Sequence, residues 1–208
     1  MTNLLTSNTR SKPKQVRSQA TLDLILDAIE RLYDREARND LSTKKLSNEA
    51  GIAVGTLYRF FPTIEAAEAA CAERIMDNIN ADLIAIIENH GEPDARLSDV
   101  LIDGLIERLL HSKMRIELFR SAMVNRHYLQ ARLAKRDRFI LTFFEAIKTN
   151  SPNNDLQTDD NHHKILIEVG GAYQKLILFS DIEEERRIYA SAWKRFVQQS
   201  ITGASYAR

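Results

Sequence analysis

The chain has 208 residues, with 29 basic and 29 acidic side chains, a formal net charge of zero and a single cysteine. This length can bury a core as one large domain or two small ones. The even balance excludes a uniformly basic nucleic-acid coat, and one cysteine excludes an internal disulfide, which suits a reducing compartment. No apolar run approaches the roughly 18 residues of a membrane span. Leu4-Leu5 is too short for the apolar core of a signal peptide, so a soluble, cytoplasmic protein is expected.

Helical spacing recurs along the chain and strand-like alternation does not, so the expected fold class is all-α. Residues 1–15 read as a basic, partly disordered arm. Arg10, Lys12, Lys14 and Arg17 lie in the first twenty residues without an acid, a pattern suited to phosphate or minor-groove contact. Met1 to Thr9 reads as a solvated tail. Leu22, Ile25, Leu26, Ile29 and Leu32 form one apolar stripe, predicting a helix from Val16 to about Ala37, ended by Asn39-Asp40.

The segment Leu41 to Thr63, LSTKKLSNEAGIAVGTLYRFFPT, predicts two short helices with a tight turn between them. Ser42 or Thr43 caps the first helix, and Leu46 and Ala50, four apart, share one face. Gly51 sits where the backbone leaves that helix through the left-handed region. Ile52 returns to the core, and Val54 to Phe61 forms the second helix, with Leu57 as its inward anchor and Pro62 ending it. Such a pair crosses steeply enough for the second helix to enter a DNA major groove. Helical bundles that never touch DNA also contain such pairs, but this segment holds Lys44, Lys45 and Arg59 against one acid, Glu49.

Thr63 caps a long helix reaching about Asn89, with Glu65 near the positive end of its dipole and Gly91 beyond its end. Further helices are predicted from Pro93 to His111 (Leu97, Val100, Leu101, Leu105 and Leu109 inward), from Lys113 to Asn125 and from Arg126 to Lys148. Asn150 to Asn154 is a cluster of breakers, opening a loop through Asp160. Two last helices follow, Asn161 to Phe179 and Ile182 to Ile201. The second has a capping-box pattern at Ser180-Asp181-Ile182-Glu183 and a stop at Gly203. The expected organisation is about nine helices. Three form a helix-turn-helix head over 16–62, and the rest form a larger helical domain over 63–208.

The order Ala50-Gly51-Ile52, Gly55-Thr56-Leu57-Tyr58 and Phe60-Phe61-Pro62 resembles the signature of the TetR family of bacterial transcriptional regulators, over roughly Val16 to Ala70. The resemblance implies double-stranded DNA as partner, with Thr43, Lys44, Lys45 and Tyr58 on phosphates, assisted by backbone amides. Base contact then falls to Val54, Gly55, Thr56, Tyr58 and Arg59. An arginine can pair with the two major-groove acceptors of guanine, and a valine can touch a thymine methyl. The alternative for Arg59 is a phosphate contact without sequence information. Two positions depart from the family pattern: Ala53 stands where a capping serine is common, and Ile64 where a phosphate-directed lysine is common. A lost cap costs about 1 kcal/mol.

The resemblance also implies a homodimer reading a palindrome. Its interface is expected on the last two helices: Ile165, Val169, Ala172, Leu176 and Phe179 on one, and Ile188, Ala192, Trp193 and Phe196 on the other. Gly170-Gly171 lowers helix propensity there and suits close helix approach. Without the resemblance, core and interface explain these stripes equally well. A small-molecule effector is implied too, with His111, Arg115, Arg120, Asn125 and Tyr128 as candidate contacts; for each, a solvated helix face is the alternative.

Catalysis is not expected, because phosphate-cradling glycine loops, nucleophile elbows and cysteine–histidine signatures are missing from the sequence. No cofactor or metal is expected either. His162-His163 beside Asp159-Asp160 reads as a helix start, since adjacent helical residues point about 100° apart and chelate poorly. Cys71 reads as a small buried hydrophobe. The resemblance thus implies a ligand-released repressor. An inducer-independent activator or organising factor is one alternative; a helical ligand-binding or scaffold protein whose head no longer reads DNA is the other, and Ala53 and Ile64 keep that one open.

Overall fold

A computed structural model describes residues 11–35, 41–89, 95–124 and 160–201. Among these there are eight helices and no strand: α1 (Ser11–Arg35), α2 (Thr43–Glu49), α3 (Val54–Phe60), α4 (Ile64–Asn89), α5 (Ala95–Leu109), α6 (Lys113–Ala122), α7 (Asp160–Phe179) and α8 (Glu183–Ile201). The all-α expectation holds. The predicted helix over 126–148, the tail Met1 to Thr9 and the helix stops at Gly91 and Gly203 lie outside the described residues. The chain divides into two compact units, residues 1–71 and 72–208, so the opening turns of α4 belong to the first.

In the first unit, α1 starts at Ser11, five residues ahead of the expected Val16, which puts Lys12, Lys14 and Arg17 on a helix. Pro13 falls in its first turn, where a missing backbone N–H leaves no helical bond unmade. The predicted stripe is the one that turns inward: Ile25, Leu26, Ile29 and Leu32 are buried, with Ala28 between them. Leu46 of α2, Ala50 at its C-cap, Leu57 of α3, and Ala67 and Cys71 of α4 are buried too, with α1 packed on α2 and α2 on α3. Each fully buried leucine or isoleucine contributes about 1.5–3 kcal/mol relative to exposure. Cys71 is a buried free cysteine whose thiol donates to the Leu26 carbonyl at 3.6 Å, so it behaves as the small apolar residue expected of it. The Tyr33 hydroxyl donates to Glu68 Oε1 within this core.

In the second unit, α5 and α7 both pack on α8, and α6 lies against α5 and α7. Leu97, Leu101, Leu105 and Leu109 of α5 are buried as predicted, whereas Val100 is exposed at the margin of that stripe. Gly170 in mid-α7 gives room to Trp193 of α8, and the rings of Tyr173 and Trp193 stack at 6.2 Å with planes 11° apart. Polar ties fasten α8 to α5: Gln198 donates to both oxygens of Asp99 at 2.9 and 3.0 Å, and Lys194 pairs with Asp103.

The cap at α8 differs from the predicted box. The helix starts at Glu183, so its third residue is Glu185, and this is the carboxylate that accepts from the Ser180 hydroxyl at 2.7 Å. Ser180 Oγ in turn accepts from the Ile182 N–H at 3.1 Å. Glu183 instead pairs along the helix with Arg186 and Arg187. Thr63 caps α4 as expected, accepting from Ala66 N–H at 3.2 Å. No helix among the described residues is long and apolar enough to cross a membrane.

Candidate nucleic-acid interface

The loop between α2 and α3 is set by backbone geometry. Gly51 adopts φ +67°, in the left-handed region, and its N–H bonds to Asn48 O while Ile52 N–H bonds to Ser47 O. Only glycine takes this conformation without a steric cost. At the start of α2, Ser42, rather than Thr43, is the cap, accepting from Lys45 N–H at 3.3 Å. At the start of α3, Ala53 offers no side-chain cap, and its carbonyl takes the N–H groups of Thr56 and Leu57 at 2.8 and 3.1 Å.

Leu57 anchors α3 inward with 1% exposure, and this decides which way the helix faces. Val54, Gly55, Tyr58 and Arg59 are exposed and Thr56 is half-buried. Tyr58 leaves 51% of its surface open, unlike an aromatic chosen for a core. A Cβ added at Gly55 would meet nothing within 4 Å, so this glycine fills no packing need inside the chain. On α2, Lys44 and Lys45 are exposed and Thr43 is half-buried. All eight candidates for DNA contact therefore sit on α2 and α3 with surface to offer. Ile64 is half-buried, so the place where the resemblance expects a lysine carries an apolar side chain.

Two residues of this unit escaped the sequence reading. Arg31 Nε donates to Glu49 Oε1 at 2.7 Å and its Nη2 to the Glu49 carbonyl at 3.4 Å, while Arg35 Nη2 pairs with Glu49 Oε2. Glu49 is the one acid of residues 41–63. Hydrogen bonds from Arg31 and then Arg35 hold its carboxyl below the usual carboxylate range. The available signal was two arginines four apart on α1, but nothing local links them to a carboxylate fourteen or more positions away.

The second unit distributes its candidates unevenly. Ile165, Ala172, Leu176, Phe179 and Ile188 are exposed, and Val169, Ala192 and Phe196 are half-buried. Trp193 differs: it is 6% exposed and already covered within the chain by Gly170 and Tyr173. Ile182, which sequence reasoning passed over, is 56% exposed beside this set. Of the effector candidates, His111 is exposed, and Asn125 and Tyr128 lie outside the described residues. Arg115 Nη1 donates to the Arg108 carbonyl at 2.8 Å, closing the end of α5. Arg120 Nε donates to Leu178 O at 2.6 Å, its Nη2 to Asp181 at 2.7 Å, and its guanidinium lies 5.9 Å from the Phe179 ring centre. Both arginines thus satisfy carbonyls that a helix end leaves open.

Residues 25–69 match the model of the family described as bacterial regulatory proteins, tetR family. Over these residues the head is similar to that of the TetR family. Two relatives, each an uncharacterized HTH-type transcriptional regulator of Mycobacterium tuberculosis, are 31% identical over 81 residues, which is 39% of this chain and 40% of theirs. The chain therefore matches well under half the length of these relatives. Solved structures extend the likeness of fold beyond the TetR head. A TetR transcriptional regulator from Rhodococcus sp. RHA1 aligns with TM-score 0.65 at 17% identity, over 91% of this chain and 100% of that one. A TetR-family regulator from Streptomyces coelicolor aligns at 0.59 and 16%, over 88% and 98%. The multidrug binding protein EbrR, complexed with imidazole, aligns at 0.58 and 20%, over 83% and 87%. The family model, the two relatives and the first two structures are all described as regulators.

Asp160, His162 and His163 fall in the first turn of α7, at the helix start the sequence predicted, and Asp159 lies outside the described residues.

Proposed function

We propose that this chain is a transcriptional repressor that binds a palindromic operator as a homodimer and leaves it when a small ligand binds. The observation that carries the reading is the outward face of α3, where Val54, Gly55, Tyr58 and Arg59 are exposed around the buried anchor Leu57. Arg59 and Thr56 read base edges; Thr43, Lys44, Lys45 and Tyr58 hold phosphates and set the register. A DNA partner goes with a cytoplasmic setting.

The dimer rests on a second observation. Ile165, Leu176, Phe179, Ile182 and Ile188 of the last two helices and their elbow are each at least 45% exposed. Large apolar side chains clustered on one pair of helices suit an isologous interface, in which the same patch meets itself. Release by a ligand is supported by the fold shared with EbrR, a multidrug binding protein. Release requires the ligand to favour the arrangement that does not bind DNA. With Arg115 and Arg120 engaged at helix ends, His111 is the one expected effector contact left exposed among the described residues.

Selection from a random duplex pool at moderate salt, then titration of the winner, tests the reading. A recovered palindrome bound by two subunits supports it. Weak binding to all sequences alike would shift the assignment to a helical scaffold whose head, with the uncapped Ala53 and the apolar Ile64, no longer reads DNA. A palindrome whose occupancy no small-molecule library changes would point to an inducer-independent factor.

A further inference from the structure

Glu49 lies at the last turn of α2, and α2 carries Thr43, Lys44 and Lys45. Its carboxylate is held from α1 by both guanidinium groups, at Oε1 by Arg31 and at Oε2 by Arg35, and its backbone carbonyl accepts from Arg31 as well. Arg35 Nε also donates to the Arg31 carbonyl at 3.1 Å, so the two arginines are fixed to one another along α1. A seven-residue helix buries little surface of its own: Leu46 and Ser47 are its buried residues. A carboxylate gripped at both oxygens adds direction, because planar forks fix geometry as well as charge.

We infer that Glu49 is a positioning residue for DNA binding, locking α2 onto α1 so that Lys44 and Lys45 are presented in register to the phosphate backbone. This rests on the DNA-binding reading of the head. It has a consequence opposite in sign to simple charge counting. Removing an acid from a DNA-binding surface ordinarily strengthens binding, since one repulsive charge is gone and two arginines are released. Removing Glu49 weakens binding instead, because the phosphate contacts of α2 lose their alignment.

The test is titration of the selected operator with wild type, Glu49→Gln and Glu49→Asp, with helix content followed by circular dichroism at the assay temperature. The glutamine variant is expected to bind roughly threefold to tenfold more weakly, as losing a small ion-pair network implies. Glu49→Asp keeps the charge and draws the carboxylate back by one methylene. It is expected to bind more weakly than wild type too, which charge counting does not predict, and it serves if the glutamine variant does not fold. Folded variants that bind as tightly as wild type, or tighter, would overturn the proposal while leaving the DNA reading intact. Wild type that selects no operator would overturn the DNA reading, and the proposal with it.

Discussion

The phenolic hydroxyl of Tyr33 on α1 donates to Glu68 on α4 at 2.6 Å, and both side chains are buried, at 7% and 1% exposure. A buried carboxylate needs partners, because burial strips its water. This bond therefore ties two helices of the head by a group that is costly to leave short of hydrogen bonds. Tyr33→Phe keeps the ring and removes the donor. It is expected to destabilise the head by about 1–3 kcal/mol, read as a lower denaturant midpoint with an unchanged slope.

On the proposed reading, Arg59 reads a base and Lys45 holds a phosphate. Arg59→Ala is expected to relax preference at one base position of each half-site by about 1–3 kcal/mol. Lys45→Ala is expected to weaken binding to all sequences and lower the salt slope by about one. Binding profiles across operator variants at several salt concentrations check both, and an unchanged profile for the Arg59 variant would remove it from base reading.

Two helical glycines give opposite expectations. At Gly170 an added Cβ would sit 3.4 Å from Trp193 Cζ2, an ordinary contact, so Gly170→Ala gains helix propensity of up to about 1 kcal/mol. At Gly104 the added atom would be 3.1 Å from Arg108 Nη1 and 3.3 Å from Leu83 Cδ2. Gly104→Ala must displace a guanidinium that also pairs with Asp82 at 3.2 Å. Thermal melts are expected to show a higher Tm for Gly170→Ala, by about 2–4 °C, and no such rise for Gly104→Ala.

Among the described residues, two carboxylates are held below their ordinary range. Glu49 is lowered from 4.5 by hydrogen bonds from Arg31 and then Arg35, and Asp181 from 3.8 by a hydrogen bond and charge from Arg120. A lowered folded-state pKa means that the unfolded chain takes up protons first. Their contribution is complete above the ordinary values and is lost as pH falls through the lowered ones. Stability is expected to decline below about pH 4.5, and more shallowly in Glu49→Gln; identical acid profiles for the two proteins would count against this assignment.

The exposed apolar face of α7 gives the proposed dimer its test. Leu176→Glu places two like charges across a twofold interface, and Leu176 is 45% exposed in the single chain. Sedimentation equilibrium is expected to show dimer affinity weakened by about tenfold or more, with helix content unchanged. Trp193→Ala is expected to lose helix content or stability instead, because that ring is buried within the chain.

Much of the head was legible in sequence because its signals are local. The left-handed backbone at Gly51 and the inward turn of Leu57 follow from residue type and a spacing of a few positions. So does the α1 stripe, where Ile25, Leu26, Ile29 and Leu32 repeat at the helical period. The start of α1 was placed late because the apolar stripe that marks the helix begins at Leu22, and the polar first turns from Ser11 carry no such periodicity. The glutamate of the α8 cap was misassigned because the pattern Ser180 to Glu183 presumes a helix starting two residues earlier than it does.

The sequence by itself determined the helical class, the turn between α2 and α3, and which face of α3 is free, because all three follow from backbone sterics and a 3.6-residue period. Only the tertiary structure decided the partners of long charged and aromatic side chains. Arg31 and Arg35 reach Glu49, Arg120 reaches Leu178 and Asp181 across some sixty residues, and Trp193 settles over Gly170. A periodic stripe states that a face is apolar, whereas what covers that face depends on which helices the chain brings beside it.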